Sequence, residues 1–422
     1  MTKEEKSWIL YDVANSAYSL IITATIFPIF FKNFAAKGME GYDSTAWLGY
    51  GNSIYTFAIA FLAPFLGTMG DYRGKKKNFF LFFVILAVVS TLSFSFITEG
   101  AWIHAIVLYV ISALGFAGAN IFYDSFLIDV TVEERLDWIS TNGYAWGYIG
   151  SVIPFIIGIV FILHYDKIGL EGPLNAMYLT FIITGVWWAL FTIPLLRNVK
   201  QKYFIEPSSK PIRYSFNRLT NTVKDIRKYK NAFIFLLAYF FYIDGVDTII
   251  KMAVAFGTDL GIDANTLIII LLVVQIIAFP CALIYGRLSK IISAKKMLLV
   301  GIGIYIIITI TAYFIPWFSS VSIRITLFWV LSILVATSQG GIQALSRSLY
   351  GKLIPKEKSA EFFGFYNIFG KFAAIIGPFL MGIISQITQN TSFGLLSIII
   401  LFIIGGFFLL KVKEVRGEHE LL

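Results

Sequence analysis

Three ionisable side chains interrupt an apolar segment in the second half of the chain. Asp244, Asp247 and Lys251 are three and four residues apart, a spacing that puts all three on one face of a helix. Asp247 and Lys251 can pair in such a helix, which leaves Asp244 as a candidate proton acceptor. Two interpretations stay open: a substrate or proton site, or a structural ion pair that holds a helix bundle together.

A second polar turn lies near the N-terminus, where Asp12, Asn15 and Ser16 fall within about one helical turn. When the two turns are aligned, Asp12 matches Asp244 and Ser16 matches Thr248. The match favours a pathway role for Asp12. An interfacial cap or a gate contact is the alternative.

Isolated polar residues mark three further apolar segments. Tyr123 and Asp124 lie in the first, and Gln339 and Gln343 share a helical stripe in the second. Hydrogen bonds between helices are an equally good role for the two glutamines. Lys371, in the third, requires an acidic partner or an anionic ligand, because charge at hydrocarbon depth is costly. The predicted substrate or proton pathway comprises Asp12, Asn15, Tyr123, Asp124, Asp244, Asp247, Lys251, Gln339, Gln343 and Lys371.

These residues must be positioned by helices that cross a membrane. Apolar residues make up 58% of the chain and charged residues 14%, whereas soluble domains carry about 25% charged residues. A spanning helix needs about 20 mostly apolar residues, and continuous runs of that length exclude the alternating strands of a barrel. We predict an all-α polytopic membrane protein with twelve transmembrane helices, spans 1 to 12, near 8–31, 47–69, 78–97, 102–124, 139–163, 174–196, 232–256, 266–288, 296–316, 322–346, 360–386 and 392–411.

Basic residues concentrate in alternate loops, as the positive-inside rule requires. Loops on one side carry groups such as 73–77 and 352–358, whereas the opposite loops hold only Lys32, Lys37 and Lys167. We therefore expect both termini in the cytoplasm. The host membrane is expected to be the plasma (inner) membrane if the source is a bacterium.

One long polar segment divides the chain into two halves. Glu134 matches Glu357 and Gly147 matches Gly370, in the same order as the two acidic turns. Parallel repeats of six helices are a transporter architecture, so we predict two pseudo-symmetric six-helix bundles. The predicted parts are an N-terminal bundle 1–196, a cytoplasmic linker 197–231 with an amphipathic basic helix, a C-terminal bundle 232–411 and a cytoplasmic tail 412–422.

The loop between spans 2 and 3 carries a recognisable motif. Its pattern, Gly67-x-x-x-Asp71-x-x-Gly74-Lys75-Lys76, resembles the signature loop of the major facilitator superfamily. Further stretches resemble the vacuole-effluxer branch, which includes autophagy-related amino-acid effluxers of fungal vacuoles: residues 7–18, 122–129, 133–135, 242–250 and 340–378.

The resemblance implies the two-bundle facilitator fold and a transport function. The implied activity is secondary active transport of a small polar solute, an amino acid or a related metabolite, by alternating access, with proton coupling as a further expectation. A lipid or amphiphile carrier and a non-transporting receptor or scaffold remain the alternatives.

The resemblance also implies a cytoplasmic latch that holds the two halves in the outward-open state. Basic residues that only set topology, with solvated acids between them, are the alternative, and Arg347 could instead extend its head group to the cytoplasm. The residues assigned to this gate are Asp71, Arg73, Asp129, Glu134, Arg135 and Arg347.

Nothing in the chain has the pattern of an enzyme, and we expect no cofactor and no metal. No phosphate-binding Gly-x-x-x-x-Gly-Lys-Ser/Thr loop is present, and His104, His164 and His419 are too far apart for metal spacing. A net charge of +9 could suggest nucleic acid, but the basic residues sit in short loops between apolar runs. The expected partners are a small-molecule substrate, possible H+ and the lipid bilayer, and the expected state is a monomer.

Overall fold

A computed structural model describes residues 1–206, 211–224, 228–389 and 391–413. Within these residues the chain is helical, and Tyr72 and Ile205 form an isolated β-bridge. In the described part of the chain, twelve helices are long and apolar enough to cross a membrane. The predictions of an all-α fold and of twelve membrane-spanning helices are confirmed.

The first six spans alternate with short connections. Span 1 consists of Lys3–Tyr18, a π-helical segment Ser19–Thr25, Ile26–Phe30 and a second π-helical segment Phe31–Ala35. Spans 2 to 6 are Gly41–Gly70, Lys75–Ser93, Trp102–Val130, Leu136–Leu163 and Pro173–Asn198.

A separate linker helix, Pro211–Lys224, precedes the second set of spans. Spans 7 to 11 are Lys230–Asp259, Ala264–Ile292, Ala294–Phe314, Val321–Lys352 and Ser359–Thr388. Span 12 consists of two helices, Thr391–Ser397 and Ile399–Lys411.

Span 1 starts with a well-defined cap and then changes helical type. The Thr2 side chain accepts a hydrogen bond from the Glu5 backbone, and the Glu5 side chain accepts one from the Thr2 backbone, which satisfies donors that a helix start leaves open. Further along, Thr25 Oγ1 donates to the Leu20 carbonyl five residues earlier. Such π-helical segments inside a helix are frequent near functional sites.

The surface of the spans is apolar, as lipid requires. Phe61 is 77% exposed and Leu190 is 57% exposed, each in the middle of a span. The cores, in contrast, are filled by aromatic rings such as Trp8, Tyr18 and Trp188, which have no exposed surface.

The chain forms two compact units. Unit 1 contains residues 1–131, 146–219 and 356–364, and unit 2 contains residues 132–145 and 220–355 together with the chain from Phe365 onward. The start of span 5 is therefore packed in unit 2, and the start of span 11 is packed in unit 1. The predicted bundle boundaries stay a prediction. Parts of the predicted linker, 207–210 and 225–227, and of the predicted tail, 414–422, lie outside the described residues.

Candidate functional site

The carboxylate of Asp244 in span 7 is fully buried in unit 2. Its two oxygens each lie 2.9 Å from the backbone nitrogen of Gly377 in span 11, which donates to them. Thr248 Oγ1 donates to the same carboxylate over 3.4 Å. A backbone N–H of span 11 and a hydroxyl of its own helix therefore bind Asp244, and its role as a proton acceptor stays a prediction.

Gly377 allows this contact because it has no side chain. A Cβ atom at this position would lie 2.0 Å from Thr248 Oγ1 and 2.8 Å from Asp244 Oδ1. Both distances are shorter than atoms of a packed interior can approach. Spans 7 and 11 thus meet at a point where only glycine fits.

A similar contact occurs in unit 1, between spans 1 and 5. A Cβ atom on Gly147 would lie 2.6 Å from Ser16 Oγ and 3.2 Å from the Asp12 backbone oxygen. The predicted match of Asp12–Ser16 with Asp244–Thr248 thus corresponds to like contacts, each against a glycine of the fifth helix of its half. The two differ in one respect: Asp12 presents its carbonyl to the glycine, whereas Asp244 presents its carboxylate. The glycine that corresponds to Gly147 in these contacts is Gly377 and not the predicted Gly370, which lies against Tyr239.

The other ionisable groups of span 7 are more open. Asp247 is half-buried and Lys251 is exposed. No ion pair joins these two described residues within 4.0 Å, so their direct pairing is not present in this structure. The charges of Lys251 and of half-buried Lys371 act on Asp247 from a greater distance.

The polar residues predicted in spans 1 and 4 are brought together in unit 1. Asn15 Nδ2 donates to Asn120 Oδ1 over 2.9 Å. The Tyr123 ring stacks on Trp8 with 4.6 Å between centroids, and Trp8 Nε1 donates to the Tyr123 carbonyl. Tyr123 therefore belongs to the aromatic core here, while Asp124 beside it is half-buried.

Span 10 carries the two predicted glutamines in unit 2. Gln339 is buried and Gln343 is half-buried. Ser338, the residue before Gln339, accepts a hydrogen bond from Tyr285 Oη of span 8 over 3.1 Å. Side chains from spans 8 and 10 therefore share a polar contact at the depth of the glutamines.

A buried charged cluster surrounds Asp71 at the end of span 2 in unit 1. Asp71 has no exposed surface and accepts hydrogen bonds from Arg218 over 2.7 Å and from the backbone nitrogens of Ala360 and Glu361 over 2.8 and 3.2 Å. Arg218 also donates through Nε to Glu361 Oε2 over 2.8 Å. One guanidinium therefore bridges two buried carboxylates.

A second buried ion pair lies beside the first. Lys76 Nζ donates to Asp129 Oδ2 over 2.7 Å and to Ser359 Oγ over 2.8 Å, and neither charged side chain has exposed surface. The other oxygen of Asp129 accepts from the backbone nitrogens of Lys202 and Tyr203. Lys76, which could be taken as a residue that only sets topology, is thus a structural partner.

Burial is the main influence on the acidity of Asp71. It raises the pKa of Asp71 to about 7, and Glu361 adds to this rise. The charges of Lys76 and Arg218 and the Ala360 N–H act in the opposite direction. The removal of water from a carboxylate favours its neutral form, and here that effect exceeds the attraction of the cations.

The remaining predicted latch residues have separate positions. Arg73 pairs with Glu206 at 3.4 Å, and both side chains are more than half exposed. Glu134 is exposed and Arg135 is half-buried. Their participation in a latch stays a prediction.

Arg347 does not extend its head group to water, so the alternative that it reaches the cytoplasm is not what the structure shows. It is 2% exposed and donates to the Oγ and carbonyl of Ser140 over 3.0 and 3.1 Å. Nearby in unit 2, Asp137 accepts from Ser348 and Lys352, each over 2.7 Å. The start of span 5 is therefore held to the end of span 10 by charge-assisted hydrogen bonds.

Several residues of these clusters were not predicted from the sequence. Arg218 is one cation among many in the basic linker, and only its spacing from Ser215 on one helix face distinguishes it. Asp137 resembles any acid at the start of a helix. Among the described residues, no group of three metal-binding side chains occurs.

Known proteins place the chain in a family. The model of a family described as vacuole effluxer Atg22 like matches residues 40–422. The chain is 51% identical over 416 residues to the uncharacterized MFS-type transporter YxiO of Bacillus subtilis (strain 168), covering 98% of this chain and 95% of the relative. It is 28% identical over 314 residues to autophagy-related protein 22 of Yarrowia lipolytica (strain CLIB 122 / E 150), covering 67% of this chain and 52% of that protein.

The match thus spans about half the length of the fungal relative. In fold, the chain is similar to the major facilitator superfamily proton:xylose symporter XylE, with a TM-score of 0.71 at 12% identity over 97% of this chain and 95% of that chain. The predicted resemblance is confirmed. The chain is a transporter of the major facilitator superfamily rather than an enzyme, and it belongs to the vacuole effluxer Atg22-like family.

Proposed function

We propose that the chain is a secondary active transporter that moves a small polar solute, an amino acid or a related metabolite, by alternating access. The observation that carries this proposal is the buried Asp244, whose carboxylate is bound by one backbone N–H and one hydroxyl at 3.4 Å. A carboxylate at hydrocarbon depth needs strong partners, and this one has capacity for more. A cationic group or a proton supplied during transport fills that capacity.

The charges around Asp244 suit a zwitterion. The ammonium of an amino acid would bind near Asp244 or Asp247, and its carboxylate near Lys371 or Lys251. The residues of spans 1, 4 and 10 supply further polar contacts in this proposal: Asp12, Asn15, Tyr123, Asp124, Gln339 and Gln343. Asp244 or Asp12 would carry the coupled proton.

The charged clusters serve as the gate in this proposal. Asp71 with the start of span 11, and Arg347 with the start of span 5, would separate when the transporter opens on their side. We place that side, and both termini, in the cytoplasm, because the basic loops lie there. The protein acts as a monomer in a plasma (inner) membrane if it is bacterial.

Transport by purified protein in liposomes tests this function. Wild-type protein should take up or exchange labelled amino acids, and Asp244→Asn should abolish the uptake or its dependence on pH. Asp166→Asn, in an exposed loop, is the matched control and should transport normally. Normal transport by Asp244→Asn with an unchanged pH profile would contradict the role of Asp244.

An apolar cavity in unit 2 favours one alternative, an amphiphile carrier. Its walls include Met252, Phe256, Ile308, Phe328 and Leu331. These side chains suit a hydrocarbon chain rather than a polar solute. If excess lipid or detergent inhibits transport and excess amino acid does not, the amphiphile function replaces the one proposed.

A further inference from the structure

The linker helix docks on unit 1 by its polar side. Ser215 Oγ donates to Tyr72 Oη over 3.2 Å, and Arg218, three residues later on the same face, reaches Asp71 and Glu361. Among the described side chains of this helix, Ile212 and Phe216 face away and are 66% and 63% exposed. Polar side chains on its buried side therefore contribute to its attachment.

Arg218 is the cation that makes this arrangement possible. Asp71 and Glu361 have no exposed surface, and Arg218 is 8% exposed. Two buried carboxylates repel each other, and a buried charge without a partner is strongly destabilising. Lys76, the other nearby cation, is already bonded to Asp129. Without Arg218, Asp71 would keep two backbone donors and the charge of Lys76, and Glu361 would lose the donor to its Oε2.

The cluster is also incompletely bonded. In the described part of the chain, Arg218 Nη1 and Glu361 Oε1 are buried without a hydrogen-bond partner. Such atoms lose hydration that nothing replaces. The docked arrangement is therefore less stable than one in which every buried polar atom is bonded.

The extended part of the linker is attached to the same loop. Ile205 N donates to the Asp71 carbonyl over 2.9 Å, and Arg73 N donates to the Ile205 carbonyl over 3.1 Å. Gln201 Oε1 accepts from Gly74 N over 3.0 Å. These bonds attach the extended part of the linker to the loop that carries Asp71, independently of the contacts of the linker helix.

We propose that Arg218 is a releasable counter-ion, which the linker helix inserts between Asp71 and Glu361 to hold the start of span 11 against the end of span 2. It acts as a positioning residue, because it touches the gate and not the solute. Its withdrawal leaves the two carboxylates in mutual repulsion and frees the start of span 11. This assigns a step of the proposed transport cycle and so rests on the proposed function.

Hydrogen–deuterium exchange of the full-length protein, without substrate, tests the proposal. Arg218→Gln should raise exchange of the amides at 359–364 about tenfold or more, because Asp71, which accepts from the Ala360 and Glu361 amides at the start of this segment, loses its counter-ion. Lys200→Gln removes an exposed charge from the same linker and should leave that exchange unchanged. The double variant Arg218→Gln/Glu361→Gln removes one of the two repelling charges and should slow the exchange toward that of wild type.

Three outcomes would overturn the proposal. They are unchanged exchange at 359–364 in Arg218→Gln, an equal rise throughout unit 1, and exchange in the double variant as fast as in Arg218→Gln. If Arg218→Gln does not fold, the double variant is compared with Glu361→Gln alone, and equal exchange in those two overturns the proposal. Because no solute is used, these results are independent of whether amino acids are transported.

Discussion

The backbone nitrogen of Gly377 donates to both carboxylate oxygens of Asp244, at 2.9 Å from each. The two residues are 133 positions apart in the chain. Charge-assisted bonds of this kind are stronger than neutral ones. The contact fixes span 7 against span 11 at the residue that we propose to bind the solute or the proton.

Gly377→Ala is expected to impair both stability and transport. The added Cβ would lie 2.0 Å from Thr248 Oγ1, and such overpacking costs about 1–3 kcal/mol. Thermal unfolding in detergent and uptake into liposomes measure the two effects. Gly382→Ala is the matched control, because a Cβ there meets nothing within 4 Å. Thr248→Ala removes the hydroxyl that the added Cβ meets, so combining it with Gly377→Ala should recover part of the stability. If the Gly377→Ala protein is as stable as Gly382→Ala, the described packing is refuted.

Lys76→Met should destabilise the protein far more than Arg73→Met. Both changes remove one positive charge from the same loop, but the pair of Lys76 with Asp129 has no exposed surface, whereas Arg73 and Glu206 are 65% and 69% exposed. Loss of a buried partner costs about 3–5 kcal/mol, and loss of an exposed one costs about 1 kcal/mol or less.

For Lys76→Met we expect the lower end of that range, about 3 kcal/mol, because Asp129 keeps two backbone donors. Denaturant or thermal unfolding of the two variants side by side gives the comparison. Equal losses of stability in Lys76→Met and Arg73→Met would show that the lysine is hydrated in solution.

The stability of the protein should depend on pH through Asp71. Its pKa of about 7 in the folded protein is above the value of about 3.9 for a hydrated aspartate. The folded state therefore binds the proton more strongly, so the contribution of Asp71 to stability is complete below about pH 4 and is lost as pH rises through 7.

Asp71→Asn removes this titration while keeping the size of the side chain. The melting temperature of Asp71→Asn minus that of wild type should therefore increase between pH 5 and pH 8.5. The difference cancels the effects of titrating groups that do not interact with Asp71, whereas Glu361, whose charge acts on Asp71, contributes to it. A difference that stays constant or decreases with pH would show that burial does not dominate the acidity of Asp71.

The sequence predicted features that depend on local pattern. Hydropathy alone gave twelve spans, because lipid imposes the same requirement on every helix. The match between Asp12–Ser16 and Asp244–Thr248 was also visible, since residues within one turn share a face. The predicted latch included Asp71 and Asp129, which the structure places in buried charge clusters.

The partners of these residues were not predictable in the same way. Arg218 and Asp71 are 147 residues apart, and spacing along the chain carries no information about such contacts. Lys75, Lys76 and Lys77 are chemically identical, and only the rotation of span 3 decides that Lys76 is buried with Asp129. The sequence likewise offered no acceptor for Arg347, whose burial depends on Ser140, 207 residues earlier.

The start of span 11 is packed in unit 1 although it is encoded late. Ala360, whose backbone nitrogen donates to Asp71, lies 289 residues after Asp71 in the chain. Spans 1 to 4 therefore leave the ribosome long before the residues that cover Asp71 and Lys76 have been synthesised. Unit 1 is completed only after span 10 has been made, so its maturation is a late event in biogenesis. A product truncated before Lys356 would keep the Lys76–Asp129 and Asp71–Arg218 pairs but would lack the hydroxyl of Ser359 and the backbone donors of Ala360 and Glu361 that complete them.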